Sequence, residues 1–190
     1  MGSCTSESAE TCNREIRVGV SACLLGRPVR YDGGHKYNAD VTDILGRVFS
    51  LVAVCPEFEA GMPVPRERLH LVRSGGRVRM IAAGSGRDWS QITQRFARQR
   101  IRELKRLAVS AFILKRGSPS CGIRDVPVFT VHGQTSACGR GLFTESLLRS
   151  MPSLPVEDEA GLADPLTRED FIARVRAYHR MQFSNQPSHR

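Results

Sequence analysis

Short apolar runs that alternate with amphipathic segments constrain the fold of this chain more than any other feature. The runs predict core strands over residues 16–25, 48–54 and 109–114, because short apolar segments bounded by turn residues are typical of buried strands. Helical segments between such strands act as crossovers, which are right-handed. The order predicts an α/β fold: a single Rossmann-like three-layer domain with a mainly parallel sheet and helices on both faces.

The other elements are predicted from periodicity and turn residues. Apolar residues at helical spacing predict helices over residues 39–47, 90–107, 142–149 and 167–181. Ser74-Gly75-Gly76 predicts a hairpin turn between strands over residues 69–73 and 77–82. Thr167, followed three residues later by Asp170, is close to a capping box and predicts the start of the last helix.

The chain is expected to form one domain. No linker divides its 190 residues, so residues 16–182 are predicted to fold together. Residues 1–15 are predicted to be a disordered tail and residues 183–190 a frayed one. No apolar run approaches the roughly 20 residues that cross a bilayer, and the polar start lacks the apolar middle of a secretory signal. We therefore expect a cytoplasmic protein without membrane contact.

A cysteine lies at or just past the end of each predicted core strand: Cys23, Cys55 and Cys121. The carboxyl ends of parallel strands meet at one edge of a sheet, so these thiols are expected to converge there. Thiolates favour an iron–sulfur cluster or zinc, and three of them leave a bound metal one open position. The absence of any Cys-x-x-Cys pair disfavours structural zinc. Taken singly, each cysteine is also typical of a small buried side chain. The set of three favours a metal or cluster site.

Polar residues in the loops beside these cysteines are candidates for catalysis. Glu57 is a candidate for a general base or for orienting a water molecule, and it is also typical of a surface carboxylate; Glu59 is a weaker candidate. Ser118 lies in a loop stiffened by proline and glycine and is expected to reach the same point. Ser120 is a candidate cap of that turn.

Arg30, Tyr31 and Asp32 follow the first cysteine and are candidates for holding a substrate through hydrogen bonds and ring stacking. The dipeptide Asp32-Gly33 is equally typical of an ordinary turn.

The remaining candidates are weaker. Cys138 is expected in a small-residue loop that opens a helix, and Cys4 and Cys12 fall in the tail. Isolated histidines are expected to be polar surface, namely His35, His70 and His132.

The net charge of +9 makes nucleic acid a candidate partner. The densest basic run, residues 95–106, has apolar residues at helical spacing. Its arginines are therefore expected to form the solvated face of an amphipathic helix. The positive charge is compatible with tRNA as a partner, but the pattern of apolar and basic residues does not favour tRNA.

Five motifs in the same order resemble the 2-thiouracil desulfurase family. They are Val20-Ser21-Ala22-Cys23-Leu24-Leu25-Gly26, Arg30-Tyr31-Asp32-Gly33, Val54-Cys55-Pro56-Glu57, Gly61-Met62-Pro63-Val64-Pro65-Arg66 and Ser118-Pro119-Ser120-Cys121-Gly122. The resemblance covers roughly residues 16–150.

The resemblance implies a desulfurase that depends on a [4Fe–4S] cluster, with Cys23, Cys55 and Cys121 as the three ligands. Glu57 and Ser118 would lie beside the free iron, and that iron would bind the thiocarbonyl sulfur of a thiolated pyrimidine such as 2-thiouracil. Water assisted by Glu57 would replace the sulfur without net electron transfer. The implied partners are a small thiolated nucleobase or nucleotide and the machinery that assembles clusters.

Two other functions remain open from the sequence. Three thiolates and a zinc-bound water, with Glu57 as proton shuttle, would suit a zinc-dependent hydrolase or nucleobase deaminase. The His-x-Glu and Pro-Cys-x-x-Cys pairing of deaminases is missing. Positive charge and an open cluster would also suit a non-enzymatic iron–sulfur module that binds RNA or acts as a sensor.

Overall fold

The computed structural model describes residues 15–184, except for the side chains of residues 136 and 137. The predicted N-terminal tail lies outside the described residues apart from Glu15, as do Cys4, Cys12 and residues 185–190. No helix within the described part of the chain is long and apolar enough to cross a membrane.

A four-stranded parallel sheet forms the centre of the fold. Its strands in spatial order are β2 (Ser50–Val54), β1 (Arg17–Ser21), β5 (Ala111–Leu114) and β8 (Val156–Asp158). β1 lies inside the sheet and pairs in parallel with both β2 and β5. The three predicted core strands are therefore neighbours.

Helices cover both faces of this sheet. They are α1 (Ser90–Arg106), α2 (Leu142–Ser150) and α3 (Pro165–Ser184). On one face, residues of α1 and α2 share a core with β5, in which the rings of Phe112 and Phe143 lie 5.6 Å apart. On the other face, Phe171 of α3 shares a second core with Val18 and Ile113. The predicted α/β class, with a mainly parallel sheet between helices, is confirmed.

A second four-stranded sheet is only partly predicted by the sequence. Its strands in spatial order are β4 (Arg77–Ala82), β3 (Leu69–Ser74), β6 (Val126–Thr130) and β7 (Thr135–Gly139). The antiparallel β3–β4 hairpin confirms its prediction. β6 and β7 are not predicted, because Pro127 and a short polar turn mask the alternation of apolar and polar residues that is typical of a strand. The prediction for Cys138 is wrong, because this residue lies in β7 and not in a loop that opens a helix.

Two predicted elements near the N-terminus have the wrong length or type. The first strand is shorter than predicted, because Ala22–Leu25 form a 3₁₀ turn that Gly26 closes with a φ of 81°, a conformation that suits glycine. The helix predicted over residues 39–47 is instead a π-helical turn, Asp40–Ile44, followed by a 3₁₀ turn, Leu45–Arg47.

The last helix begins earlier than predicted and has a different cap. Asp164 Oδ2 accepts hydrogen bonds from the backbone N–H of Thr167 at 2.9 Å and from its hydroxyl at 2.7 Å. Pro165 takes the first helical position, where a backbone N–H is not needed. The capping box proposed for Thr167 is therefore wrong. The helix also continues to Ser184, three residues beyond its predicted end.

Gly19, in the middle of β1, lies against the ring of Phe112. A methyl group on Gly19 would lie 2.4 Å from two ring carbons. We expect Gly19→Ala to lower the free energy of unfolding by about 1–3 kcal/mol, the usual cost of overpacking a core, as measured by urea denaturation. Gly46→Ala is the control, because its methyl group would meet Leu51 at an ordinary 3.4 Å. Equal stability of the two variants would contradict this account.

Candidate active site

The carboxyl ends of β1, β2 and β5 open into a cavity of about 550 Å³. Cys23, Cys55 and Cys121 all line this cavity, together with Glu57 and Ser118. Parallel strands deliver the segments that follow them to one edge of a sheet. The structure therefore brings together three cysteines that are distant in sequence.

Each of the three cysteines lies in a different local structure. Cys23 lies in the 3₁₀ turn after β1, and Cys55 follows β2 directly; both are half-buried. Cys121 lies in the loop after β5 and is 6% exposed. All three are free thiols, as is the exposed Cys138.

Burial keeps these thiols protonated in the absence of a bound cation. It raises the pKa of the Cys23 thiol to about 11, and the neighbouring Cys55 adds to the rise. Burial also raises the pKa of the Cys55 and Cys121 thiols, and both other cysteines further oppose ionisation of Cys121. All three thiols line the same cavity. A bound metal would reverse the preference, because metal ligands are thiolates.

The first turn of α2 holds the loop that carries Cys121. The backbone N–H of Phe143 donates to the Ser120 carbonyl at 3.0 Å, and the Thr144 hydroxyl donates to the Cys121 carbonyl at 2.7 Å. The loop thereby satisfies donors that a helix N-terminus leaves without intrahelical partners. Gly141 allows this close approach, since a Cβ atom there would lie 2.4 Å from the Ser120 carbonyl.

The two serines of this loop have different partners. Ser118 Oγ accepts hydrogen bonds from the backbone N–H groups of Ser120 at 3.2 Å and Cys121 at 3.1 Å. Ser118 therefore caps the turn while it lines the cavity. Ser120, the candidate cap from sequence, is fully buried, and its hydroxyl donates to Glu57 Oε1 at 2.8 Å.

Glu57 has hydrogen-bond donors on both carboxylate oxygens, and its side chain is 13% exposed. Arg66 Nε and Nη2 lie 2.9 and 2.5 Å from its Oε2. Glu59 has a different position: its Oε1 accepts the backbone N–H of Cys55 at 2.6 Å, and its Oε2 lies 3.3 Å from Arg100 Nε on α1. Glu57 lines the cavity, whereas Glu59 supports the turn that presents Cys55.

Of the predicted substrate-binding residues, Arg30 and Tyr31 line the cavity and Asp32 does not. Asp32 is exposed, and its carboxylate accepts hydrogen bonds from Arg30 Nη2 at 3.3 Å and from the Gly34 N–H at 3.0 Å. These bonds, the one from Arg30 foremost, lower the pKa of the Asp32 carboxyl. The guanidinium groups of Arg30 and Arg68 lie 5.4 and 4.9 Å from the centre of the Tyr31 ring.

Sequence reasoning missed most of the cationic lining of the cavity. Besides Arg30, the lining includes Lys36, Arg66, Arg68, Lys115 and Arg116. Lys115 forms an ion pair with Glu159. These cations come from separate segments, so no local pattern groups them. Only Arg66 had a signal in the sequence, since it ends a motif rich in proline.

His70 lines the cavity as well, so the prediction that it is polar surface is wrong. It lies on β3, and its ring meets that of Phe129 on β6 edge-on, with 5.4 Å between ring centres. The pairing of β3 with the unpredicted strand β6, which brings Phe129 against the His70 ring, explains the difference. His35 and His132 are exposed, as predicted.

No group of three or more His, Cys, Asp or Glu side chains among residues 15–184 is arranged for a single metal ion. The three cysteines line one cavity, where their sulfur atoms are a set of soft donors.

Comparisons with known proteins identify the family. The sequence matches the 2-thiouracil desulfurases over residues 18–159. An uncharacterized protein of Bacillus subtilis (strain 168), YbbK, is 32% identical over 108 residues, which cover 54% of this chain and 71% of YbbK. A solved structure of TudS, described as a [4Fe-4S]-dependent thiouracil desulfidase, is 32% identical and superposes with a TM-score of 0.64 over 84% of this chain and 99% of that one. The chain belongs to the 2-thiouracil desulfurase family.

Proposed function

We propose that this protein is a [4Fe–4S]-dependent desulfurase that converts a thiolated pyrimidine, such as 2-thiouracil, to its oxo form and releases sulfide. The observation that carries the proposal is a single cavity lined by three cysteines, the Glu57 carboxylate and the Ser118 hydroxyl. Membership of the family supports desulfurase activity. The similarity to TudS supports the choice of cofactor.

The donor set of the cavity fits a cluster with three protein ligands. Cys23, Cys55 and Cys121 would supply three soft thiolates, and they are the only cysteines among the residues described as lining the cavity. Arg30 and Lys115 favour the thiolate form of Cys23 through their positive charge. When bound, such a cluster supplies a Lewis-acidic iron without a protein thiolate, open to the sulfur of the substrate.

Glu57 is the proposed general base. A carboxylate that is largely shielded from solvent and fixed by donors on both oxygens is well placed to accept a proton from a water molecule. That water would attack the thiocarbonyl carbon of the substrate. The position of Glu57 in the cavity wall supports this role.

Ser118 is proposed to donate a hydrogen bond into the cavity. Its oxygen already accepts two backbone N–H groups. A serine hydroxyl has one hydrogen to donate, and that hydrogen is available to a group bound in the cavity.

The proposed exchange is non-redox. One thiouracil and one water give one uracil and one hydrogen sulfide: a C–S bond breaks, a C–O bond forms, and the carbon keeps its oxidation state. The proton that Glu57 accepts from water leaves with the sulfide. No external electron donor or acceptor is required.

Substrate binding is assigned to Arg30, Tyr31 and Asp32, with Asp32 acting through its hydrogen bond to Arg30. The substrate is a small thiolated nucleobase or nucleotide, and the cluster-assembly machinery of the cell is the second proposed partner. We place the protein in the cytoplasm, where reducing conditions keep cysteines free; the four cysteines among the described residues are all free thiols.

Protein purified without oxygen is expected to contain about four irons per chain and to release sulfide from 2-thiouracil. Replacing Cys23, Cys55 or Cys121 by serine is expected to lower iron content and activity together, because each change removes one thiolate ligand. Iron and sulfide analysis and visible absorption measure both effects. Cys138→Ser is the matched control, since Cys138 is exposed on β7 and outside the cavity.

Full iron content in any of the three variants would remove that cysteine from the ligand set. Iron-loaded wild-type protein that is inert toward thiolated pyrimidines would contradict the reaction. Colourless protein that contains zinc in place of iron would favour a hydrolase.

Glu57→Gln is expected to retain the wild-type iron content and to lower kcat by about 10²–10⁴-fold, the usual contribution of a general base. Glutamine keeps the size of the side chain but cannot accept the proton. Glu145→Gln is the control, because Glu145 lies on α2 outside the cavity and pairs with Arg140 and Arg149. Wild-type turnover by Glu57→Gln would exclude Glu57 as the base.

A further inference from the structure

We infer that Arg66 and Ser120 are positioning residues for Glu57. Together they hold its carboxylate in one orientation and leave the proton-accepting role to one oxygen, Oε1. The inference rests on the proposed function, because both residues act through the proposed general base.

Arg66 is held in place by contacts besides those it makes to Glu57. Its side chain is 7% exposed, and it contacts Glu57 Oε2 through both Nε and Nη2. Nη2 also donates to the Val29 carbonyl at 3.0 Å, and Nη1 donates to the Pro63 carbonyl at 3.3 Å. The backbone N–H of Arg66 donates to the Tyr31 carbonyl at 2.7 Å. Bonds to several chain segments leave this guanidinium little freedom.

Ser120 approaches the carboxylate from its other oxygen. Its hydroxyl donates to Glu57 Oε1 at 2.8 Å and lies 3.5 Å from Met80 Sδ. Both Ser120 and Met80 are fully buried, so water cannot replace this contact. Because Ser120 directly precedes Cys121, the orientation of Glu57 is coupled to the loop that carries a proposed ligand.

The two oxygens of Glu57 consequently differ. An ionised carboxylate has about four lone-pair sites, two on each oxygen. Arg66 occupies both sites of Oε2, since two of its N–H groups converge on that atom. Ser120 occupies one site of Oε1 and leaves one. The remaining site of Oε1 is where the water to be deprotonated is held.

A purely structural role for Arg66 predicts different kinetics. Loss of Arg66 would then disturb the loop between β2 and β3 and lower substrate binding and iron content along with kcat. Loss of positioning lowers kcat selectively, because only the alignment of the base with water changes. An added guanidinium ion can restore that alignment.

The test measures iron content, KM and kcat for 2-thiouracil in Arg66→Ala, Arg66→Lys and Ser120→Ala. We expect unchanged iron content, little change in KM, and a fall in kcat of about 10²-fold, the cost of a small misplacement at a reacting centre. Arg66→Lys is expected to be intermediate, because an ammonium cannot present the paired N–H groups of a guanidinium. Added guanidinium chloride is expected to restore part of kcat in Arg66→Ala and none in Ser120→Ala.

A structural readout and a matched control accompany the kinetics. Crystals of Arg66→Ala are expected to show Glu57 in an orientation different from that in the wild type. The control is Arg168→Ala, which removes an arginine 17% exposed from its pair with Asp40, outside the cavity. It is expected to lower stability while kcat stays at the wild-type value.

Wild-type kcat in Arg66→Ala and Ser120→Ala, with active wild-type protein, would overturn the inference and leave the proposed function intact. A loss of kcat accompanied by loss of iron, with no response to guanidinium and an unmoved Glu57, would overturn it in favour of a structural role. Iron-loaded wild-type protein inert toward thiolated pyrimidines would remove the proposed function, and this inference with it.

Discussion

The parallel pairing of β1 with β2 on one side and β5 on the other is the constraint on which the site depends. Because these strands run in the same direction, the segments that follow them leave from the same edge. The register also keeps the strand ends close to level, with Ser21 opposite Val54 and Val20 opposite Ile113. The cysteine-bearing turns therefore begin at nearly the same height. An antiparallel strand in place of any of the three would send its cysteine to the opposite edge.

The second sheet completes the cavity that the first sheet opens. His70 and its neighbours on β3, with Phe129 on β6, form part of the wall. The parallel pairing of Leu71 with Val128 joins these two strands. The segments that follow the first sheet supply three cysteines to the cavity, and the second sheet supplies an aromatic and imidazole surface. This division fits the usual make-up of a ligand site, in which a few polar groups are fixed within a largely apolar lining.

Local patterns in the sequence were sufficient to predict part of this architecture. Apolar runs indicated the three core strands, and the cysteines and Glu57 became candidates because each lies at or after the end of one of them. β6 and β7 were missed because β6 joins the sheet by pairing with β3, which is distant in sequence, and because proline and polar residues mask the periodicity of both strands. The partners of Ser118 and Ser120 depend on the direction in which the folded loop turns each hydroxyl. The role of Arg66 appears only once Glu57 lies beside it in three dimensions.

Gly141 brings the start of α2 into close contact with the loop that carries Cys121. A methyl group there would lie 2.4 Å from the Ser120 carbonyl and 2.7 Å from the Cys121 nitrogen, so the start of α2 and the cysteine loop are in backbone contact. Hydrogen bonds from Phe143 and Thr144 hold the two segments together, and α2 is anchored in the core by the fully buried Phe143. Opening of this loop is therefore a sub-global unfolding event rather than a local fluctuation. A group that binds Cys121 would therefore enter through the mouth of the cavity, and not by displacement of a surface loop.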